Sequence, residues 1–178
     1  LRELYSSYLN VLIMSGKMDE AEKLVKKSLK THQSEKDMQA LMVDYRNLGN
    51  ISLQKTDWLN AEKNYLKALE INTQSGNKAE MAEDNRNIYN LYLQKEDWNQ
   101  AEKFTLKSLA ISEGIKDYRN VCSDCRILTN IYVEKKERSK QEIYYNKALE
   151  NSRILNDPKE ILIDLRYLGK FNMERGYR

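Results

Sequence analysis

The stretch WLNAEKNYLKAL, residues 58–69, decides the fold because the chain repeats its pattern every forty residues. It aligns without a gap with MDEAEKLVKKSL (18–29), WNQAEKFTLKSL (98–109) and RSKQEIYYNKAL (138–149). A fixed period of roughly 20 to 50 residues is typical of solenoids, in which each unit packs only on its neighbours. The sequence therefore predicts a stack of similar units.

The segment before each of these stretches repeats with the same period. DYRNLGN (44–50) returns as DNRNIYN (84–90), DCRILTN (124–130) and DLRYLGK (164–170). Apolar residues recur at helical spacing in both halves of the unit, so each unit should hold two amphipathic helices. Asp57, Asp97 and Ser139 are expected to cap second helices. The predicted helices cover 2–15, 18–32, 37–55, 58–74, 77–95, 98–113, 117–135, 139–155 and 158–175.

These features predict an all-α solenoid of about nine helices, with a single array over residues 1–178. The units are expected at 1–36, 37–76, 77–116 and 117–157, followed by the first helix of a fifth unit at 158–175. Terminal repeats normally carry a polar outer face, and this array has none. We therefore expect the chain to be a fragment of a longer protein.

Composition excludes several function classes. The formal net charge of +3 does not indicate a nucleic-acid or membrane partner, and no apolar run is long enough to span a bilayer. The sequence contains no Gly-rich phosphate loop and no nucleophile or zinc-protease motif, so we expect a protein that is not an enzyme and holds no cofactor and no metal.

The few cysteines and the one histidine add little chemistry. Cys122 and Cys125 form a C-x-x-C pair without a second pair for zinc or a βαβ context, so packing is the expected role. Two cysteines cannot form a disulfide framework, which favours a reducing, cytoplasmic location. His32 is expected to follow the end of a helix and to have no partner that would make it a ligand or a base.

The repeated residues resemble the tetratricopeptide repeat (TPR) family. The second unit carries the family's pattern of aromatic and small residues at Tyr45, Leu48, Gly49, Trp58, Ala61, Tyr65 and Ala68. The third and fourth units depart from it, with Tyr89 and Thr129 in place of Gly and Gln141 in place of Ala. The period of forty resembles the subclass of spindle-orientation adaptors, kinesin light chains and bacterial peptide-sensing regulators. The resemblance implies a right-handed solenoid of helix-turn-helix units, in which Trp58 and Trp98 are expected in the core.

The resemblance also implies a binding surface on the first helix of each unit. Arg46 and Asn50 are four residues apart and so share one helix face, and in the family these positions face a concave groove. The candidate peptide-binding residues are Arg46, Asn50, Arg86, Asn90, Arg126, Asn130 and Arg166, with Asn10 and Lys170 at the equivalent places of the first and fifth units. Asn can bond to the N–H and C=O groups of any peptide, and Arg provides a planar fork for carboxylates. The expected partner is an extended, partly acidic peptide segment of another protein.

Three alternatives stay open at this point. Asp44, Asp84, Asp124 and Asp164 recur in step with the arginines, so each Arg could form an exposed ion pair with the Asp of the next unit. The arginines could instead stack on RNA or single-stranded nucleic acid, although acidic residues share these helices. The array could also be purely structural or self-associate through apolar residues expected at its ends, which are Tyr5, Leu9, Leu168 and Phe171.

Overall fold

The structure is a computed structural model that describes residues 2–174 and Gly176, without the side chains of Arg2, Glu3 and Glu174. This part of the chain forms helices and contains no strand. The helices are α1 (Arg2–Met14), α2 (Met18–Glu35), α3 (Met38–Gln54), α4 (Trp58–Ser75), α5 (Lys78–Gln94), α6 (Trp98–Gly114), α7 (Tyr118–Glu134), α8 (Arg138–Leu155) and α9 (Pro158–Glu174). The predicted all-α fold and its helices are confirmed, and α2 alone runs clearly further than predicted. Residues 1, 175, 177 and 178 of the predicted array lie outside the described residues.

Aspartate side chains begin several helices as the sequence predicted. Asp57 accepts a hydrogen bond from the Asn60 backbone N–H at the start of α4, and Asp97 accepts one from Gln100 at the start of α6. Asp37 and Asp117 cap α3 and α7 in the same way. The predicted cap at Ser139 is wrong: α8 begins at Arg138, and Glu137 precedes it without a side-chain cap. Glu137 stands forty residues after Asp97, so the period places the helix start here whether or not the side chain caps it.

The turns between helices share one backbone feature. Every twenty residues a single residue adopts a positive φ, and the series is Gly16, Lys36, Thr56, Gly76, Glu96, Lys116, Lys136, Asn156 and Gly176. Only glycine takes this conformation without steric cost. Because most of the series is not glycine, the packing of the flanking helices, and not the turn residue, must hold these turns.

The chain divides into two compact units, each larger than one repeat of forty residues. The first unit is Leu1–Glu80 and the second unit is Met81–Arg178. In the first unit one core cluster joins α1, α2 and α3 through Leu9, Leu12, Ala21, Val25, Leu48 and Ile51. In the second unit a cluster around Cys125, Leu128 and Tyr132 joins α6, α7 and α8. In both units the apolar residues at helical spacing form the core, as the period predicts.

Small residues allow the helix pairs to approach closely. A Cβ atom on Gly49 of α3 would overlap with the ring of Tyr65 on α4, which is 1% exposed. At the equivalent positions the third repeat has Tyr89 and Thr105 and the fourth has Thr129 and Tyr145, so these three repeats each combine one aromatic residue with one small residue. The third and fourth repeats, which lack this Gly, therefore keep a similar combination of sizes, whereas the first repeat has Leu9 and Val25.

Two expectations about apolar residues are wrong. Trp58 and Trp98 are half-buried and not core residues, because each is the first residue of its helix and lies next to the exposed turn. At the ends of the chain, Leu9 and Phe171 are each 3% exposed, and Tyr5 and Leu168 are half-buried. The exposed apolar residues lie on other faces of α1 and α9 and include Leu4, Tyr8, Val11, Met14, Leu162 and Leu165. No described helix is long and apolar enough to cross a membrane.

Candidate peptide-binding surface

The predicted asparagine positions are exposed. Asn10, Asn50, Asn90, Asn130 and Lys170 occupy one repeated position on α1, α3, α5, α7 and α9, and all have exposed side chains. In the first unit the Tyr65 hydroxyl donates a 2.7 Å hydrogen bond to Asn50 Oδ1. This bond fixes the orientation of the amide, so that its N–H₂ group can donate to another acceptor.

Two of the predicted arginines bind carboxylates within their own unit. Arg46 forms an ion pair with Glu80, and its Nη2 also donates to the Glu80 backbone carbonyl at 2.9 Å. In the second unit Arg126 donates from Nε to Asp164 Oδ1 and from Nη1 to Glu160 Oε2, each at 2.6 Å. Partial burial would lower the pKa of Arg126, but these two carboxylates outweigh it and raise the pKa above its usual value. At Arg126 the Arg–Asp alternative raised by the sequence is therefore realised.

Arg86 differs from the other two arginines. It pairs with Glu83 on its own helix at 3.1 Å, and its Nη1 is buried without a hydrogen-bond partner. The position that holds Glu80 and Glu160 in the other repeats holds Asn120 here, and the Asn120 amide donates to Asp117 at 2.5 Å. Arg86 therefore lacks the carboxylate that holds its counterparts.

The recurring aspartates are buried, which corrects the expectation of exposed ion pairs. Asp44, Asp84, Asp124 and Asp164 are at most 1% exposed. A carboxylate at such a site needs hydrogen bonds or a positive partner, because leaving water is otherwise very unfavourable. The sequence could not show this burial, since aspartate on a helix usually faces solvent.

The buried aspartates find different partners in different repeats. Asp44 Oδ2 lies 2.7 Å from His32 Nδ1, whereas Asp124 Oδ2 accepts a 2.7 Å hydrogen bond from Ser108. Burial raises the pKa of Asp44, although His32 opposes the shift, and burial raises the pKa of Asp124 to about 6 against the bond from Ser108. The expectation for His32 is wrong, because this residue lies inside α2 and has Asp44 as its partner.

The second unit brings some predicted residues together in cavities. Asn130 and Lys170 line one of about 260 Å³, and Arg166 and Lys170 line another of about 600 Å³. Aromatic residues that sequence reasoning did not propose as site residues also line these cavities, namely Tyr145, Tyr167 and Phe171. Their signal was present in the sequence, since Tyr145 belongs to the repeat pattern and Tyr167 stands where Asn47 and Asn87 stand in earlier units.

The cysteines have no accessible chemistry. Cys122 and Cys125 are free thiols and are fully buried, and the Cys122 thiol donates to the Ala148 carbonyl at 3.4 Å. Burial raises the pKa of Cys122 to about 11 and that of Cys125 to about 12, so both thiols are protonated at neutral pH. Within the described residues, His, Cys, Asp and Glu side chains form no group of three that could hold a metal ion.

Comparison with known proteins gives similarity at the level of structure. No protein-family model and no curated protein matches the chain. BtubC (BKLC) from P. vanneervenii is similar over 99% of this chain and 73% of its own, with a TM-score of 0.84 and 20% identity. A putative kinesin light chain of Podosopora anserina with nearly identical TPR-like repeats is similar over 99% of this chain and 87% of its own, with a TM-score of 0.78 and 10% identity.

A third similar structure is a Signal Transduction ATPase with Numerous Domains from Pyrococcus horikoshii, which has a tetratricopeptide repeat sensor. It is similar over 93% of this chain but only 26% of its own length, with a TM-score of 0.78 and 19% identity. At these identities the comparisons concern the fold, and they agree with the forty-residue helix pairs described above. The chain has the TPR-type repeat fold.

Proposed function

We propose that this chain is a non-catalytic protein-interaction module that binds an extended, partly acidic peptide segment of a partner. The observation that carries the proposal is the exposure of Asn50, Asn90 and Asn130 at one repeated position. An exposed amide can donate to and accept from the peptide backbone, whatever the partner's side chains are. The TPR-type fold is consistent with a protein partner.

The charges of the second unit favour acidic residues in that partner. Arg166 and Lys170 are exposed, and both line the cavity of about 600 Å³ beside Tyr167. Arg86 is paired with Glu83 of its own helix, and its unpartnered Nη1 is buried and so closed to a ligand. Arg46 and Arg126 are already bound to carboxylates and act mainly in holding neighbouring helices together. In the second unit the proposed ligand-binding set therefore consists of Asn90, Asn130, Arg166 and Lys170.

A cytoplasmic location belongs to the same proposal. The two cysteines are unpaired and buried, which fits a reducing compartment. No part of the proposed interaction needs a cofactor, a metal ion or a covalent step.

A peptide selection tests the proposal directly. A library of displayed unstructured peptides of about ten residues would be selected against the chain, since an extended ligand advances ~3.3 Å per residue along neighbouring helices. We expect enrichment of sequences rich in Asp and Glu. For the enriched peptides Asn130→Ala should weaken binding roughly five- to tenfold, which corresponds to about one hydrogen bond.

The matched control is Asn146→Ala, which removes an exposed asparagine from the second helix α8. It should leave the dissociation constant unchanged. Selection of no sequence above background, or equal weakening by both substitutions, would remove the support for this binding surface.

A further inference from the structure

The first unit contains a cavity of about 250 Å³ at the place where later repeats hold an arginine. It lies between α1, α2 and α3 and is lined by Tyr5, Ser6, His32, Gln39, Ala40, Val43 and Asp44. Ser6 stands at the repeat position of Arg126, Ala40 at that of Glu160, and Asp44 at that of Asp164. The first repeat has therefore lost the arginine and one carboxylate but has kept the buried aspartate.

The second unit shows what normally occupies this place. The Arg126 guanidinium donates to Asp164 Oδ1 and Glu160 Oε2, and its Nη2 lies 3.4 Å from the Glu160 backbone carbonyl. In the cavity the equivalent acceptors are Asp44 Oδ1 and the Ala40 carbonyl. Because Ser6 and Ala40 have short side chains, the volume of the missing guanidinium stays open.

The carboxylate at the base of the cavity has acceptor capacity left. Asp44 is 1% exposed, and its Oδ2 lies 2.7 Å from His32. Its other oxygen, Oδ1, accepts from the Tyr5 hydroxyl at the long distance of 3.5 Å, and Ser28 is a further hydrogen-bonding neighbour of the carboxylate. Burial raises the pKa of Asp44, as expected for an anion whose surroundings compensate it incompletely.

We infer that this cavity is a binding site for a guanidinium group, which pairs with Asp44 as Arg126 pairs with Asp164. A planar guanidinium matches a carboxylate and a neighbouring carbonyl in geometry as well as in charge, whereas a neutral group of the same shape gains no charge-assisted bond. The group can belong to a small molecule or to an arginine side chain of a partner. The site contains none of the exposed asparagines and does not depend on the binding of an acidic peptide. The guanidinium site and the proposed peptide binding can therefore be refuted separately.

Titration with methylguanidinium, followed by amide chemical shifts in nuclear magnetic resonance, tests the inference. We expect saturable shifts centred on Ser6, Ala40 and Asp44. Methylurea, which has the same shape without the charge, should give none. Ser6→Arg should place a guanidinium in the cavity from within the chain and weaken methylguanidinium binding roughly tenfold or more.

Ser7→Arg is the matched control, because it adds the same charge at the adjacent, exposed position outside the cavity lining. It should bind methylguanidinium as the unchanged chain does. Equal shifts with methylurea, or binding that survives Ser6→Arg, would overturn the inference, as would the absence of saturable shifts in the unchanged chain. Comparison of free arginine with a capped Gly-Arg-Gly peptide then identifies the source of the group. Tighter binding of free arginine indicates a small molecule, and tighter binding of the peptide indicates an arginine side chain of a partner.

Discussion

Asp124 of the second unit is a buried carboxylate without an ion pair among the described residues. Its side chain is fully buried, Oδ2 accepts from Ser108, and Oδ1 has no hydrogen-bond partner. Neither Arg86 nor Asn120 supplies to Asp124 the direct ion pair that Arg126 gives to Asp164. Asn120 occupies the position of Glu160, and both ion pairs of Arg126, with Glu160 and with Asp164, lack an equivalent at Arg86.

Asp124 gives the protein a specific dependence of stability on pH. Burial raises the folded-state pKa of Asp124 to about 6 from 3.8, so the folded state binds a proton that the unfolded state releases between these values. The free energy of unfolding should therefore rise as the pH falls from about 6 to about 4, by roughly 2–3 kcal/mol from this residue. Below that window both states are protonated and the contribution stays constant.

Denaturant unfolding at several pH values measures this contribution. The difference in unfolding free energy between the unchanged chain and Asp124→Asn should vary across the window from pH 4 to pH 6 and be flat outside it. A difference independent of pH would show that the pKa of Asp124 is the same in the folded and the unfolded chain.

At the scale of helices, the sequence predicted what depends on the period and missed what depends on contacts between repeats. The starts and ends of the helices follow from apolar residues at helical spacing, and Asp57 and Asp97 cap as expected. The ion pairs Arg46–Glu80 and Arg126–Glu160 were not predicted, because each joins residues 34 positions apart. In addition, the position of Glu80 and Glu160 holds Ala40 and Asn120 in the other repeats, so Glu does not recur in every repeat. The pattern was too incomplete to be recognised without the structure.

The packing of a first helix against its second helix can be tested with two equivalent glycines. A methyl group at Gly49 would overlap with the buried Tyr65 ring, whereas Gly169 of α9 has nothing within 4 Å of that position. Gly49→Ala should therefore lower the unfolding free energy by about 1–2 kcal/mol, despite the better helix propensity of alanine. Gly169→Ala should leave it unchanged or raise it by up to about 1 kcal/mol.

Urea denaturation followed by circular dichroism distinguishes these outcomes. If both substitutions stabilised the chain equally, the Tyr65 ring would have room to move, and the close approach of α3 and α4 would not depend on glycine.

At the scale of the whole chain, some repeat positions of the first helices serve packing and others are exposed. Asp and Arg of the first helices turn inward at Asp164 and Arg126, while Asn130 and Lys170 on the same helices are exposed. The sequence placed these residues on the correct helices, but it could not decide which of them face the neighbouring repeat. That choice depends on which side chains are buried, and the burial of an aspartate cannot be inferred from composition or periodicity.

The division between a structural arginine and an exposed asparagine is the central claim, and one comparison of unfolding free energies tests it without any partner. Arg126→Ala leaves the buried carboxylate of Asp164 without its cation and leaves Glu160 only with Arg119 at 3.3 Å, so it should cost about 3 kcal/mol or more. Asn130→Ala, one helical turn away on the same helix, should change stability by less than about 0.5 kcal/mol. A neutral Arg126→Ala, or a loss at Asn130→Ala as large as that at Arg126→Ala, would contradict the claim.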